Sequence, residues 1–178
     1  AKKTETGFSI LVLTNDNEYT TYNCRYAIFA TGGIGRVYEY TTNSAIATGD
    51  GITIAHELGA EIKNLSYIQF HPTGFNNKHT RETFLISESV RGEGAYLKNC
   101  NGERFMQNYD DRLELAPRDV VSHAIMAEAK KTGSDKFYLD ITHKDPEFVR
   151  NRFPMINEKL LEAGYDMTKD MIPIFPCH

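Results

Sequence analysis

The stretch Arg25–Gly51, RYAIFATGGIGRVYEYTTNSAIATGDG, constrains this chain more than any other. A short apolar run, Tyr26–Ala30, ends at Thr31-Gly32-Gly33, and a second glycine cluster follows at Gly49-Asp50-Gly51. A nearly all-apolar run of this length suits a strand buried on both faces. Glycines directly after such a strand let the backbone approach a phosphate-bearing cofactor closely. The full dinucleotide fingerprint, Gly-x-Gly-x-x-Gly, is only begun by Gly33-Ile34-Gly35, because Tyr38 stands where the third glycine belongs. A plain tight turn therefore fits these residues as well as a cofactor loop does. Asp50 reads either as an N-cap or as a residue beside a cofactor.

The surroundings extend this reading. Phe8–Leu13 is a strand candidate, Asn15–Glu18 a turn cluster and Tyr19–Tyr22 its hairpin partner. A helix capped by Asp50 places Ile52, Ala55, Leu58 and Ile62 on one face. This opening third reads as the tail of an α/β nucleotide-binding domain. After Asn64 the character changes. Ile68–Thr73 reads as a strand ending at a proline, and Asn99–Gly102 as a turn. Pro117 suits the first position of a helix that carries Val120, Val121, Ala124, Ile125 and Glu128 and stops at Gly133. Phe137–Ile141 reads as a strand, Pro146–Arg152 and Met155–Ala163 as two short helices, and the segment from Ile172 as extended.

Composition narrows the function classes. A formal net charge of −4 argues against general attraction to nucleic acid or to an anionic membrane. No apolar run is long enough for a membrane span, and no apolar signal-peptide core follows Ala1. The three cysteines, Cys24, Cys100 and Cys177, are odd in number and far apart. That argues against a disulfide framework and a structural zinc site, no metal-ligand cluster is expected, and a reducing cytoplasm is the expected location. With 178 residues the chain holds one domain, or one domain and part of another, and both ends read as cut from a longer protein.

The residues with chemical potential lie in the second part. His71 sits between an apolar strand and Pro72-Thr73, where a lone histidine is more often structural than catalytic. Ser87-Glu88 precedes Arg91-Gly92-Glu93-Gly94, which is either a surface loop with an ion pair or backbone held close around charged groups. Arg118 falls in the first turn of a helix, where the dipole opposes a cation unless something negative lies nearby. Glu114 or Asp119 would be the local partner. Taken together, His71, Arg91 and Arg118 as positive donors and Ser87 as a hydroxyl suggest a site for a small dianion.

The motifs Ala30–Gly33, Ala47–Gly51, Gln69–Thr73, Arg91–Gly94, Glu103–Phe105 and Leu115–Asp119 together resemble the flavoprotein family of succinate dehydrogenase, fumarate reductase and L-aspartate oxidase. The resemblance runs through essentially the whole chain in order. Glu114–Asp119, Leu139–His143 and Arg152–Pro154 are most similar to the aspartate-oxidising branch. The resemblance implies an α+β chain. Residues 1–64 would be the C-terminal part of an FAD-binding α/β domain. Residues 65–178 would be the family's mixed α+β capping domain, which closes over the flavin. It implies that Thr31, Gly32, Gly33 and Asp50 approach FAD, that His71, Ser87, Glu88 and Arg91 bind substrate, and that Arg118 is the catalytic proton donor or acceptor. It further implies L-aspartate, fumarate or succinate as substrate, oxygen or fumarate as electron acceptor, and a functional link to quinolinate synthase in NAD synthesis. Ser87 stands where many relatives carry Thr. The family's own Gly-x-Gly-x-x-Gly loop is not among these residues, so this chain by itself is expected to be inactive and to lack FAD.

Overall fold

The computed structural model describes residues 1–77 and 81–178. It divides into two compact units, one formed by residues 1–37 and 44–67, the other by residues 38–43 and 68–178.

The first unit contains an antiparallel meander of β1 (Lys2–Thr4), β2 (Gly7–Leu13) and β3 (Tyr19–Cys24), in the order β1-β2-β3. The register runs from Phe8 opposite Cys24 to Leu13 opposite Tyr19. The turn between β2 and β3 uses Asn17 at φ 59°, a left-handed conformation that asparagine tolerates. Both strands and the turn lie where alternation and turn residues place them.

Tyr26–Ala30 does not form the buried strand that its composition predicts. It has no regular secondary structure and pairs with no described strand, with Tyr26 82% and Ile28 93% exposed. A doubly buried strand requires neighbouring strands and a layer on each face, and the described residues of this unit supply neither. Helix α1 (Asp50–Glu57) starts at the expected place, but its N-cap is Gly49, at φ 82°, and not Asp50, which is the first helical residue. The helix ends at Glu57 with Leu58 as its C-cap, so Ile62 lies beyond it. Gly51 is required by packing, since a Cβ there would fall 1.7 Å from Thr31 Oγ1.

The second unit is built on a four-stranded antiparallel sheet of β4 (His71–Phe75), β5 (Tyr96–Lys98), β6 (Phe137–Asp140) and β7 (Ile172–Cys177), in the order β4-β7-β6-β5. β4 begins at His71 and runs through Pro72, where the sequence pattern predicts a strand ending at the proline. Two features make this possible. β4 is an edge strand, and its register with β7 shifts between His71 and Gly74, so the missing amide of Pro72 costs no ladder bond.

Helix α3 (Arg118–Thr132) packs on β4 and β7. It buries Val121, Ser122, Ala124, Ile125 and Glu128, a helical spacing, and Gly133 stops it at φ 66°. Pro117 is its N-cap, one position before the expected one. The short helices α2 (Ser89–Gly92), α4 (Pro146–Arg152) and α5 (Pro154–Glu162) complete the unit. A continuous apolar core joins Ile86, Leu97, Phe105, Ile125, Leu139, Leu160 and Ile174 with their neighbours. No described helix is long and apolar enough to cross a membrane.

Candidate active site

The charged residues singled out in the second unit converge although they are far apart in sequence. Arg118, at the first position of α3, donates from Nε to Glu88 Oε2 at 2.6 Å and from Nη1 to Gln69 Oε1 at 3.0 Å. The anionic neighbour expected at this helix start is therefore Glu88, thirty residues away, and neither Glu114 nor Asp119. Arg91 lies on the other side of the same carboxylate, its Nη2 3.8 Å from Glu88 Oε2. One carboxylate thus bridges two guanidinium groups. Arg118 Nη2 is left without a partner among the described residues.

The two arginines differ in environment. Arg91 is 4% exposed and donates from Nη1 to the backbone carbonyl of Glu114, while its Nε is buried without a hydrogen-bond partner. Burial lowers its affinity for the proton, opposed by Glu88. Arg118 is partly open to solvent, and its hydrogen bond to Glu88 raises its pKa. The same bond, helped by both cations, holds the Glu88 carboxyl below the usual carboxylate range. Glu88 is therefore ionised at neutral pH.

His71 differs from the expectation of a third positive donor. Burial, reinforced by the nearby Arg118 and Arg91, pushes its pKa down to about 4, so the ring is neutral near pH 7. The amide of Thr73 donates to His71 Nδ1 at 3.3 Å. An amide can only donate, so Nδ1 is the acceptor and Nε2 carries the ring proton. The site offers one neutral imidazole N–H and two cations. Ser87 Oγ accepts from Ser89 Oγ at 2.9 Å and from the Ser89 amide at 3.3 Å, and so keeps its own hydroxyl proton to donate. Ser122, on α3, ties down the segment before His71 by donating to the Phe70 carbonyl at 2.8 Å. A separate apolar pocket of 320 Å³, lined by Tyr40, Ile125, Met126, Phe137, Phe175 and Pro176 among others, includes none of these charged groups.

Gln69, the Glu114 carbonyl and Ser122 are the contributors that residue patterns do not reveal. Gln69 falls inside the motif Gln69–Thr73, but nothing in its spacing ties it to Arg118. The Glu114 carbonyl is backbone and has no sequence signature.

Thr31, Gly32, Gly33 and Asp50 lie together in the first unit. The Gly49 amide donates to the Gly33 carbonyl at 3.1 Å, which joins the two glycine clusters. Gly32 adopts φ 77°, and nothing lies within 4 Å of where a Cβ would stand on Gly32 or Gly33. Bare backbone next to a helix start fits a group that must approach the main chain closely, as the phosphates or ring of a flavin nucleotide do.

A family model described as FAD binding domain matches residues 4–178. The chain is 51% identical over 156 residues to the L-aspartate oxidase of Yersinia pestis, covering 88% of this chain and 29% of that protein. It is 46% identical over 162 residues to the L-aspartate oxidase of Vibrio cholerae, covering 91% of this chain and 30% of the relative. Among solved structures, a quinol fumarate reductase of E. coli superposes with a TM-score of 0.76 at 36% identity, covering 83% of this chain and 28% of that one. The chain thus spans 29% and 30% of the length of those two curated relatives.

Proposed function

This chain belongs to the FAD binding domain family, and from that premise we propose that it is part of an FAD-dependent L-aspartate oxidase, which converts L-aspartate to iminoaspartate. Residues 1–64 are then part of the FAD-binding domain and residues 65–178 the capping domain. The observation that carries the reading is the carboxylate of Glu88 held between Arg118 and Arg91, with the neutral His71 near all three charges and Ser87 next to Glu88 in the chain.

FAD, when bound, supplies the two-electron acceptor, and the protein's part is to hold and orient the substrate. In this assignment Thr31, Gly32, Gly33 and Asp50 approach the cofactor. His71 Nε2, Ser87 and the guanidinium groups take the two substrate carboxylates, which suit charge-assisted, partly bidentate contacts. Arg118 is the catalytic residue, and the ionised Glu88 carboxylate orients its guanidinium. Arginine hardly deprotonates in proteins. A donor role therefore suits fumarate reduction, and an electrostatic clamp suits amine oxidation. Oxygen or fumarate serves as acceptor, and the product supplies quinolinate synthase in NAD synthesis.

A succinate dehydrogenase or fumarate reductase flavoprotein is the second reading, favoured by the 36% identity to the fumarate reductase structure. The identities of 51% and 46% to L-aspartate oxidases favour the first.

The test is steady-state kinetics of the full-length protein and its Arg118→Lys variant in both directions, with flavin content measured. Lysine keeps a charge but loses the planar fork. Fumarate reduction should fall by at least about a hundredfold, the scale of a positioned acid–base group. Aspartate oxidation should fall less, and FAD content should stay constant. Near-normal fumarate reduction in the flavin-loaded variant would remove Arg118 from the catalytic role. A wild-type protein that oxidises succinate and not aspartate would move the assignment to the second reading.

A further inference from the structure

Arg91 is almost completely buried, yet among the described residues its only close hydrogen-bond acceptor is a backbone carbonyl, that of Glu114. What holds that carbonyl in place decides where Arg91 stands. Glu114 itself is buried, at 3% exposure. Its carboxylate accepts from Arg104 Nε at 2.9 Å and again from Arg104 Nη2, and the Leu97 amide on β5 donates to it at 3.1 Å. The Arg104 guanidinium is fixed in turn, lying 4.2 Å over the ring of Tyr96, which also stacks parallel on His143 at 4.4 Å. The residue before Glu114 is Leu113, at φ 54°, a left-handed conformation that a leucine rarely adopts. That turn directs the Glu114 side chain inward while its carbonyl meets Arg91.

From this arrangement we infer that Glu114 is a positioning residue: its ion pair with Arg104 holds the backbone carbonyl that seats Arg91 against Glu88. The inference rests on the assignment of Arg91, Glu88 and Arg118 to the site. The chain of contacts runs Tyr96, Arg104, Glu114, Arg91, Glu88, Arg118. Its first three members lie outside the candidate site, and their hydrogen bonds and ring contacts among the described residues reach it only through Arg91. If the carboxylate loses its charge, Arg104 no longer pins the loop, and the strained Leu113 conformation relaxes. The carbonyl then withdraws and Arg91 loses its seat. Glu128 provides the matched comparison. It is an equally buried carboxylate of the same unit, hydrogen-bonded by Asn99 and Tyr109, with no contact to Arg91.

The experiment compares full-length wild type, Glu114→Gln and Glu128→Gln. Each is read by steady-state kinetics and by the rate at which the arginine reagent phenylglyoxal modifies Arg91, mapped by peptide mass spectrometry. Glu114→Gln should lower kcat by at least about tenfold while KM changes less, because misplacement of a catalytic group acts on the reacting geometry. Arg91, protected in wild type, should become modified at least about tenfold faster, on the same argument of a displaced side chain. Glu128→Gln should leave both readings at wild-type values. A folded Glu114→Gln protein with wild-type kcat and a protected Arg91 overturns the inference, and so does an equal response to Glu128→Gln. If Glu114→Gln does not fold, Arg104→Lys decides in its place. It keeps the charge and loses the fork, so Arg91 must again become more reactive, and unchanged protection overturns the inference. A wild-type protein inactive on both aspartate and fumarate would defeat the proposed function, while the Arg91 reactivity would still judge the positioning role.

Discussion

The two units solve the folding problem differently. Each of the large side chains that is fully buried, from Ile86 to Ile174, belongs to the unit of residues 38–43 and 68–178. The unit of residues 1–37 and 44–67 buries Ala47, Gly35 and Gly51, and exposes Leu11, Leu13, Tyr22, Tyr26, Ile28 and Ile46. Yet both contain well-formed antiparallel strands. Backbone hydrogen bonds can be satisfied by two or three neighbouring strands, whereas apolar burial needs a second layer. Secondary structure therefore forms in the first unit without a core, while the second has both. The division also separates the proposed chemistry. The open glycine backbone lies in the unit with little core, and the charge cluster lies in the unit whose sheet and helix are packed on a continuous core.

The comparison can be broken most directly by truncating apolar side chains in each unit. Ile125→Ala in α3 should destabilise the chain by about 2–5 kcal/mol, the usual range for deleting a packed core side chain. Ile28→Ala in the first unit should stay within about 0.5 kcal/mol, as expected of an exposed position. Urea unfolding of both variants checks this, and equal costs would show that Ile28 is covered after all. In the full-length protein, where residues from outside this chain are present, we expect the cost of Ile28→Ala to rise to about 1 kcal/mol or more.

A second test uses pH. His71 has a pKa of about 4 in the fold and an ordinary value of 6.5. The unfolded chain therefore binds a proton that the folded chain refuses as pH falls from 6.5 towards 4, and stability is lost across that window. The two values set a ceiling of about 3 kcal/mol on the loss. Glu88, held below its ordinary value, works in the same direction. Urea midpoints for wild type and His71→Gln from pH 4 to 7 should converge as the pH falls. Parallel curves would show that His71 does not titrate abnormally.

Smaller effects should come from local packing. Gly51→Ala places a methyl 1.7 Å from Thr31 Oγ1 and should cost about 1–3 kcal/mol, as overpacking does. Hydrogen exchange should then report a loosened α1, and the second substitution Thr31→Ala should restore part of its protection. No loosening in Gly51→Ala would show that even this contact of the first unit yields freely. At the small end is Asp145, whose side chain accepts from the Phe148 amide at 2.8 Å at the start of α4. Asp145→Ala should cost about 1 kcal/mol, the usual loss for an N-cap. Thermal unfolding measures it, and no change would mean that packing alone secures the helix.

Much of this fold is legible in the chain itself. The β2–β3 hairpin, the buried stripe of α3, its stop at Gly133 and the two short helices after Pro146 are all written in patterns of a few residues. Alternation, helical spacing and capping act between residues at most four or five apart, so they survive in any context. The candidate site is legible only as residue types. Ser87, Glu88, Arg91 and Arg118 are conspicuous as charged or hydroxylic groups beside glycine and proline, but nothing local says which of them meet.

Tertiary structure decided the rest. It chose Glu88 over Glu114 and Asp119 as the partner of Arg118, because α3 and the segment before α2 are brought together from thirty residues apart. It made His71 neutral, because charge on a buried ring depends on desolvation and on cations supplied by other elements. It let β4 run through Pro72, because the strand lies at a sheet edge. It also left Tyr26–Ala30 exposed, because a run of apolar residues states a preference for burial and cannot supply the layers that would bury it. Local interactions are properties of the sequence, whereas partner choice, desolvation and burial are properties of the company each residue keeps.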